Sequence, residues 1–140
     1  MTQAESDAYY LDLALATAKV ASCMRRKYGV VLVRDDVVIS TGYNGAPSAE
    51  PKCIELNHCA RTILREKKGE VYEVCRGLHA EMMAIINAGR ERARGATMYV
   101  ASVDTQSGKL FPAKPCDLCE RIIKEVGIGR VVCHPGEPSA

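Results

Sequence analysis

The stretches LHAE (residues 78–81) and PCDLC (residues 115–119) determine how the rest of the 140-residue chain must fold. Together they supply one imidazole, one carboxylate and two thiols. Zinc prefers nitrogen and sulfur ligands in a tetrahedron, and a catalytic zinc keeps three protein ligands and one position for water. The sequence therefore predicts that His79, Cys116 and Cys119 meet around one zinc ion.

The spacing within each stretch indicates the N-terminus of a helix. If one helix begins near His79, then His79 and Glu81 both lie in its first turn. A second helix beginning near Cys116 places Cys116 and Cys119 one turn apart on the same face. The helix dipole favours an anionic group there, so we expect it to lower the pKa of both thiols, and a bound metal to lower it further. Glu81 is then left to move protons for the bound water.

Two simpler interpretations of the same residues remain open. The zinc could be purely structural, with Glu81 an ordinary surface residue. Alternatively, Cys116 and Cys119 could form a reduced C-x-x-C pair of the redox type. A C-x-x-C pair alone is weak evidence, but the H-x-E upstream and the proline in front of Cys116 favour a catalytic site.

Composition indicates a globular protein with a single domain over residues 1–140. About 47% of the residues are apolar and the formal net charge is only +2, which gives little attraction to nucleic acid or to a membrane. The sequence shows neither a membrane-spanning run nor a signal peptide, so we expect a cytoplasmic protein. Seven cysteines in such a protein indicate metal binding rather than disulfides.

Hydrophobic periodicity and turn residues predict alternating helices and strands. In chain order these are a helix at 6–22, strands at 28–33 and 37–41, a helix at 79–88, a strand at 96–103, a helix at 116–126 and a strand at 130–133. The first two strands form a hairpin, and the helical crossover between the last two favours a parallel pair. The result is a mixed sheet between helices. Residues 48–78 are irregular, with a possible short helix at 61–67.

Four further cysteines, Cys23, Cys53, Cys59 and Cys75, lie before the hairpin or in the irregular segment. Four thiolates form a closed structural zinc site, which would fasten that segment to the first helix. His58 is the alternative fourth ligand. Because these spacings match no generic zinc-finger motif, ordinary reduced cysteines remain the alternative.

Several stretches of the chain resemble the deoxycytidylate deaminase family of the cytidine deaminase-like superfamily, whose zinc signature is H-x-E…P-C-x-x-C. Besides Cys53 and Cys75, the matching stretches are residues 23–25, 41–47, 79–82, 95–100, 115–119 and 127–132. The resemblance implies a three-layer α/β/α fold with a mixed sheet of about five strands. It also implies zinc-dependent hydrolytic deamination of a cytosine nucleotide, with dCMP converted to dUMP and ammonia.

The resemblance further assigns roles to individual residues. Glu81 would be the proton shuttle, Asn44 would hydrogen-bond the sugar hydroxyl, Arg25 would approach the 5′-phosphate, and Ala80 would contact the substrate. From the residues alone, Asn44 is equally explained as a turn residue and Arg25 as a solvated surface residue. The chain departs from the family pattern in segment 102–114, which is longer than the usual link to the Pro-Cys pair.

The same resemblance implies a second, structural zinc, activation by dCTP, inhibition by dTTP, and a homo-oligomer, either a hexamer or a dimer. Two other functions remain as alternatives. One is a deaminase that acts on another cytidine nucleotide, a nucleoside, a modified base or a tRNA base, although the small net charge disfavours tRNA. The other is a zinc-binding module without turnover, in which the carboxylate of Glu81 would have no purpose.

Overall fold

The structure is a computed structural model that describes residues 1–57, 59, 75 and 77–137. The strands are β1 (Arg26–Arg34), β2 (Val37–Tyr43), β3 (Thr97–Asp104), β4 (Leu110–Phe111) and β5 (Arg130–Cys133). The helices are α1 (Gln3–Ala18), α2 (Cys53–Leu56), α3 (Ala80–Ala88), α4 (Arg90–Ala93) and α5 (Asp117–Val126). Of these helices, none has the length and apolar character that crossing a lipid bilayer requires. The helix predicted at 61–67 lies outside the described residues.

The described strands form one mixed sheet in the order β2-β1-β3, with β4 and β5 both paired to the far edge of β3. β1 is antiparallel to β2 and to β3, whereas β5 is parallel to β3, with Thr97 opposite Arg130. This confirms the predicted hairpin, the mixed sheet and the parallel crossover through α5. β4 is absent from the predicted elements, because two residues are too few to show a strand alternation.

Side-chain alternation along β1 and β3 buries both faces of the sheet and produces three layers. The face covered by α3 and α5 is formed by Val30, Leu32, Met98 and Val100. The face covered by α1 is formed by Val31, Val33, Tyr99 and Ala101. The predicted α/β/α architecture is therefore confirmed.

Helix boundaries follow local capping chemistry. α1 begins before the predicted Ser6, because Thr2 is its N-cap and accepts a hydrogen bond from the backbone N–H of Glu5. α3 and α5 begin one residue after the predicted positions and end at the predicted residues, each followed by a glycine C-cap, Gly89 or Gly127. Each glycine has a positive φ, which closes a helix at little steric cost.

α1 is fastened to the sheet by a polar cluster around Asp7. Arg130 of β5 donates two hydrogen bonds to the Asp7 carboxylate, one of them 2.9 Å long, and the Tyr99 hydroxyl donates another at 2.7 Å. The Arg130 guanidinium, followed by the Tyr99 and Gln3 donors, holds the pKa of Asp7 well below its usual range. The cluster thus connects α1, β3 and β5 on the face opposite α3 and α5.

Two glycines set how closely the long helices approach the sheet. A Cβ atom at Gly29 would lie 2.1 Å from the carbonyl oxygen of Ala14 in α1. A Cβ atom at Gly42 would lie 2.4 Å from the carbonyl oxygen of Ala80 and 2.4 Å from the nitrogen of Ala84, both in α3. Because Gly42 has no side chain, the backbone of α3 can pack directly against β2. His79 is the residue that precedes α3, so this packing also sets the position of His79.

We predict that Gly42→Ala lowers the free energy of unfolding by about 1–3 kcal/mol, because α3 must move outward to make room for a methyl group. The measurement is the midpoint of urea-induced unfolding. Gly77→Ala is the matched control, because its nearest contact would be an ordinary 3.6 Å. Equal midpoints for the two variants would contradict this account of α3 packing.

Candidate metal centre

The structure brings His79, Cys116 and Cys119 together from distant parts of the chain. His79 is the N-cap of α3, Cys116 is the N-cap of α5, and Cys119 lies in the first turn of α5. His79 Nδ1 is 3.5 Å from Cys116 Sγ and 3.3 Å from Cys119 Sγ, and the three ligand atoms all lie within 4.8 Å of one another. The two predicted helix N-termini therefore converge at one place.

The donor set and its spacing fit a tetrahedral zinc ion. Zinc–sulfur bonds of about 2.3 Å and zinc–nitrogen bonds of about 2.0–2.1 Å place a nitrogen and a sulfur ligand about 3.6 Å apart. The observed separations of 3.3 and 3.5 Å are close to that value. His79, Cys116 and Cys119 are thus the residues that would hold the ion, which leaves one tetrahedral position for water.

Local packing explains why the two helices present their ligands side by side. Ala84 and Ile85 of α3 belong to the same buried core cluster as Ile123 of α5. At the start of α5, the Sγ atom of Cys116 also accepts the backbone N–H of Cys119 at 3.5 Å, so a metal ligand serves as the N-cap.

Glu81 lies inside the protein, next to the three ligands. Only 5% of the surface of Glu81 is exposed, and the Cys119 thiol donates a hydrogen bond to the Glu81 carboxylate. Burial raises the pKa of Glu81 above its ordinary value, and hydrogen bonds from its own backbone N–H and from Cys119 oppose the rise. The interpretation of Glu81 as an ordinary surface residue is therefore wrong.

The pKa of the Cys119 thiol differs from the expectation based on the helix dipole. It is raised, chiefly because the side chain is buried and then because the negative charges of Glu81 and Cys116 are close. Desolvation outweighs the N-terminal end of α5 at this position. The buried Glu81 and Cys119 and the half-buried Cys116 bring groups that can carry negative charge around one imidazole, and a bound zinc ion would offset that charge and lower the pKa of the Cys119 thiol.

Asn44, predicted as either a sugar contact or a turn residue, continues the pairing of β2 with β1. Its side-chain Nδ2 donates to the carbonyl of Arg26 at 2.9 Å, and its Oδ1 accepts the backbone N–H of Tyr28 at 2.7 Å. In the structure, the Asn44 side chain therefore extends the hydrogen bonding between β2 and β1. Ala80 is the first residue of α3 and is 1% exposed.

Arg25 is half-buried just before β1. Its Nη1 atom is buried and has no hydrogen-bond partner among the described residues. A buried guanidinium nitrogen that lacks a partner is costly, and an anion would satisfy it.

One contact to this segment was not anticipated from the sequence. The Thr105 hydroxyl, just beyond β3, donates to the carbonyl of Cys23 at 2.8 Å. Apart from the unusual length of segment 102–114, the sequence carries no signal for it, because threonine in a turn has many roles.

The four cysteines predicted as a second zinc site come from segments that partly converge. Cys23 Sγ accepts the backbone N–H of Arg25, and Cys75 Sγ accepts that of Gly77, both at 3.4 Å. Cys53 opens α2.

Two observations bear on the completeness of that second site. The backbone N–H of Ile54 donates to the carbonyl of Ser22 at 3.3 Å, which holds α2 beside Cys23. Within the described part of the chain, however, the only three ligating side chains gathered within 4.8 Å are those of the first site. His58 lies outside the described residues.

We predict that Cys116→Ser weakens zinc binding by more than about 100-fold, beyond the loss usual for an outer-shell partner. The measurement is zinc retained by the purified protein in competition with a chelator. Cys133→Ser is the matched control, since Cys133 lies at the end of β5 outside the ligand group, and it should retain zinc as the unsubstituted protein does. Equal retention by both variants would contradict the assignment.

The sequence of the chain is similar to a protein family and to several known proteins. A family model described as "Cytidine and deoxycytidylate deaminase zinc-binding region" matches residues 4–135. The chain is 37% identical to a deoxycytidylate deaminase of Schizosaccharomyces pombe over 91% of its own length, but it spans only 36% of that relative. It is 35% identical to a deoxycytidylate deaminase of Mycobacterium phage D29, with 98% of this chain and 99% of the phage protein covered.

Solved structures show the same fold at low sequence identity. The dCMP deaminase of cyanophage S-TIM5, in complex with dCMP and dUMP, matches with a TM-score of 0.65 at 20% identity, covering 94% of this chain and 81% of that one. A cytidine deaminase from Burkholderia pseudomallei matches with a TM-score of 0.56 at 20% identity, covering 95% and 84%.

Proposed function

The chain belongs to the cytidine and deoxycytidylate deaminase family, and we propose that it is a zinc-dependent hydrolase that converts dCMP to dUMP and ammonia. The observation that carries the proposal is Glu81, a buried carboxylate in hydrogen-bond contact with a thiol of the metal-ligand group. A purely structural zinc has no use for such a group. Relatives at 35–37% identity carry the name deoxycytidylate deaminase, which supports dCMP as the substrate.

The reaction needs a nucleophile and a group that moves protons. When bound, zinc supplies a Lewis acid that lowers the pKa of a water molecule from about 16 toward 7. Glu81 accepts the proton which that water releases and delivers it to N3 of the cytosine. After the addition at C4, Glu81 takes the remaining proton from the new C4 hydroxyl and passes it to the 4-amino group, which leaves as ammonia while the C4 carbonyl forms. One carboxylate can serve as base and then as acid because it stays within hydrogen-bond reach of both the attacking oxygen and the leaving nitrogen.

The remaining predicted residues would hold the nucleotide. The unpartnered Nη1 of Arg25 supports a contact with the 5′-phosphate. The Asn44 amide has used one acceptor and one donor position on β1, so one of each remains for a sugar hydroxyl. Ala80, at the N-terminus of α3, would line the site beside Glu81.

The proposal extends to the organisation of the protein. Residues 1–140 constitute a single deaminase domain that acts in the cytoplasm as a homo-oligomer, either a hexamer or a dimer. dCTP is its activator and dTTP its inhibitor. The homo-oligomer and the two effectors rest on the family resemblance.

A second zinc, bound by Cys23, Cys53, Cys75 and either Cys59 or His58, is part of the proposal. The backbone N–H donors to the Sγ atoms of Cys23 and Cys75 support it, as does the hydrogen bond that joins the start of α2 to Ser22. Such a site would stabilise the segment that follows α2.

Glu81→Gln should retain zinc and lose nearly all turnover, because the amide can neither accept nor deliver the protons of the reaction. The measurement is ammonia release from dCMP, CMP, dCTP, deoxycytidine, cytidine and cytosine, alongside the zinc content of the same preparations. The unsubstituted protein should act fastest on dCMP. Full activity in the glutamine variant would refute the role of Glu81. If the unsubstituted protein turns over another compound faster than dCMP, that compound is the substrate and the assignment of dCMP is wrong.

Cys53→Ser should reduce the zinc content from two ions per chain to one and lower the unfolding temperature, while the remaining ion stays at the first site. Elemental analysis and thermal unfolding measure the two effects. Cys133→Ser provides the control for removal of a thiol. One zinc per unsubstituted chain would end the proposal of a second site.

A further inference from the structure

The segment between β3 and the second metal-ligand stretch folds into a hairpin with a self-supporting turn. The Asp104 carboxylate accepts the backbone N–H of Ser107 at 2.8 Å and its hydroxyl at 3.0 Å. The backbone N–H of Asp104 donates to the carbonyl of Lys109 at 2.9 Å. Because these bonds close the turn locally, the hairpin can act as a fixed support for whatever it contacts.

The hairpin contacts the segment that carries Arg25. The Thr105 hydroxyl donates to the carbonyl of Cys23 at 2.8 Å, and the Thr105 backbone N–H points to the carbonyl of Arg25 at 3.5 Å. On β4, the strand that returns from the turn, the centre of the Phe111 ring lies 4.2 Å from the guanidinium carbon of Arg26. Residues 23–26 are therefore held by both limbs of the hairpin.

The returning limb is also fixed, and it leads directly to Cys116. The backbone N–H of Ala113 donates to the carbonyl of His134 at 3.0 Å. Gly136 has φ +84°, and a Cβ atom there would lie 2.7 Å from the nitrogen of Pro112, so only glycine allows this close approach. The hairpin thus joins the backbone around Arg25 to the beginning of α5 and its metal ligand.

The arrangement leaves Arg25 with a fixed backbone and an unsatisfied side chain. Its N–H donates to Cys23 Sγ and its carbonyl faces Thr105, whereas its Nη1 atom is buried without a partner among the described residues. A cation held in this way pays little ordering entropy when an anion binds. A looser backbone would give up part of that advantage.

We propose that Thr105 is a positioning residue that holds Arg25 for the 5′-phosphate, so that the preference for nucleotide over nucleoside depends on the Thr105 hydroxyl. The inference rests on the proposed deamination of dCMP. Thr105 acts through the backbone of residues 23–25 and not by touching the substrate.

The test compares KM and kcat for dCMP and deoxycytidine in Thr105→Val, which keeps the side-chain shape and removes the hydroxyl. The KM for dCMP should rise about 5- to 10-fold, the size expected for one hydrogen bond, with kcat for dCMP and KM for deoxycytidine nearly unchanged. Thr105→Ser should restore the KM. Calorimetric affinities for dUMP and deoxyuridine should show the same selective loss without turnover.

Thr17→Val is the matched control, because the Thr17 hydroxyl donates a hydrogen bond of the same 2.8 Å length to the carbonyl of Leu13. Both residues belong to α1, which packs on the face of the sheet opposite α3 and α5. Thr17→Val should leave both substrates unaffected. Equal effects of Thr105→Val on dCMP and deoxycytidine would reduce Thr105 to a structural role and overturn the inference.

A double substitution separates this inference from the proposed function. In an Arg25→Ala background, Thr105→Val should raise the KM for dCMP no further, because the group that it positions is gone. A further rise would overturn the inference. If the unsubstituted protein shows no preference for dCMP over deoxycytidine, the proposed substrate is wrong. If it shows that preference and Thr105→Val preserves it, only the role of Thr105 is wrong.

Discussion

The structure depends on the meeting of two helix N-termini, those of α3 and α5, on one face of the sheet. Each helix is held by its own apolar side, and Gly42 lets α3 lie almost in contact with β2. Three ligand atoms then fall within 4.8 Å of one another, because each ligand is the N-cap of a helix or lies in its first turn. Rigid elements position a site more accurately than loops do, and catalysis depends on that accuracy. The fold therefore positions the three metal ligands.

Burial connects this geometry to the chemistry. Glu81 and Cys119 are both removed from water, and this burial raises both pKa values; the charge of Glu81 adds to the rise at Cys119, whereas the hydrogen bond from Cys119 opposes the rise at Glu81. A divalent cation relieves the cost of burying negative charge, so the same burial that destabilises the isolated charges favours metal binding. Once the ion is in place, Glu81 remains as a buried carboxylate in hydrogen-bond contact with a ligand and suited to proton transfer. Stability of the site and its reactivity thus have one physical origin.

The sequence predicted the parts of the protein that have short-range signals. The H-x-E and C-x-x-C spacings located both helix N-termini, and apolar alternation located β1 and β3 with only small errors in their ends. The rise in the Cys119 pKa could not be predicted, because desolvation depends on packing between distant segments. The contact of Thr105 with Cys23 was missed for a similar reason: it joins residues that are far apart in the chain through a hydroxyl without a recognisable motif. Spacing also could not decide whether Asn44 serves the fold or the substrate, and the structure shows how it serves the fold.

The central claim is that one zinc ion, held by His79, Cys116 and Cys119 beside Glu81, carries out the deamination. The most direct test uses the Cys53→Ser variant, which keeps a single metal site. Its zinc is removed with a chelator and returned stepwise, and the rate of dUMP formation from dCMP is measured at each step. The account predicts that activity disappears with the metal and returns in full with one equivalent of zinc per chain. Undiminished activity in the stripped protein, or none after one equivalent has bound, would contradict it.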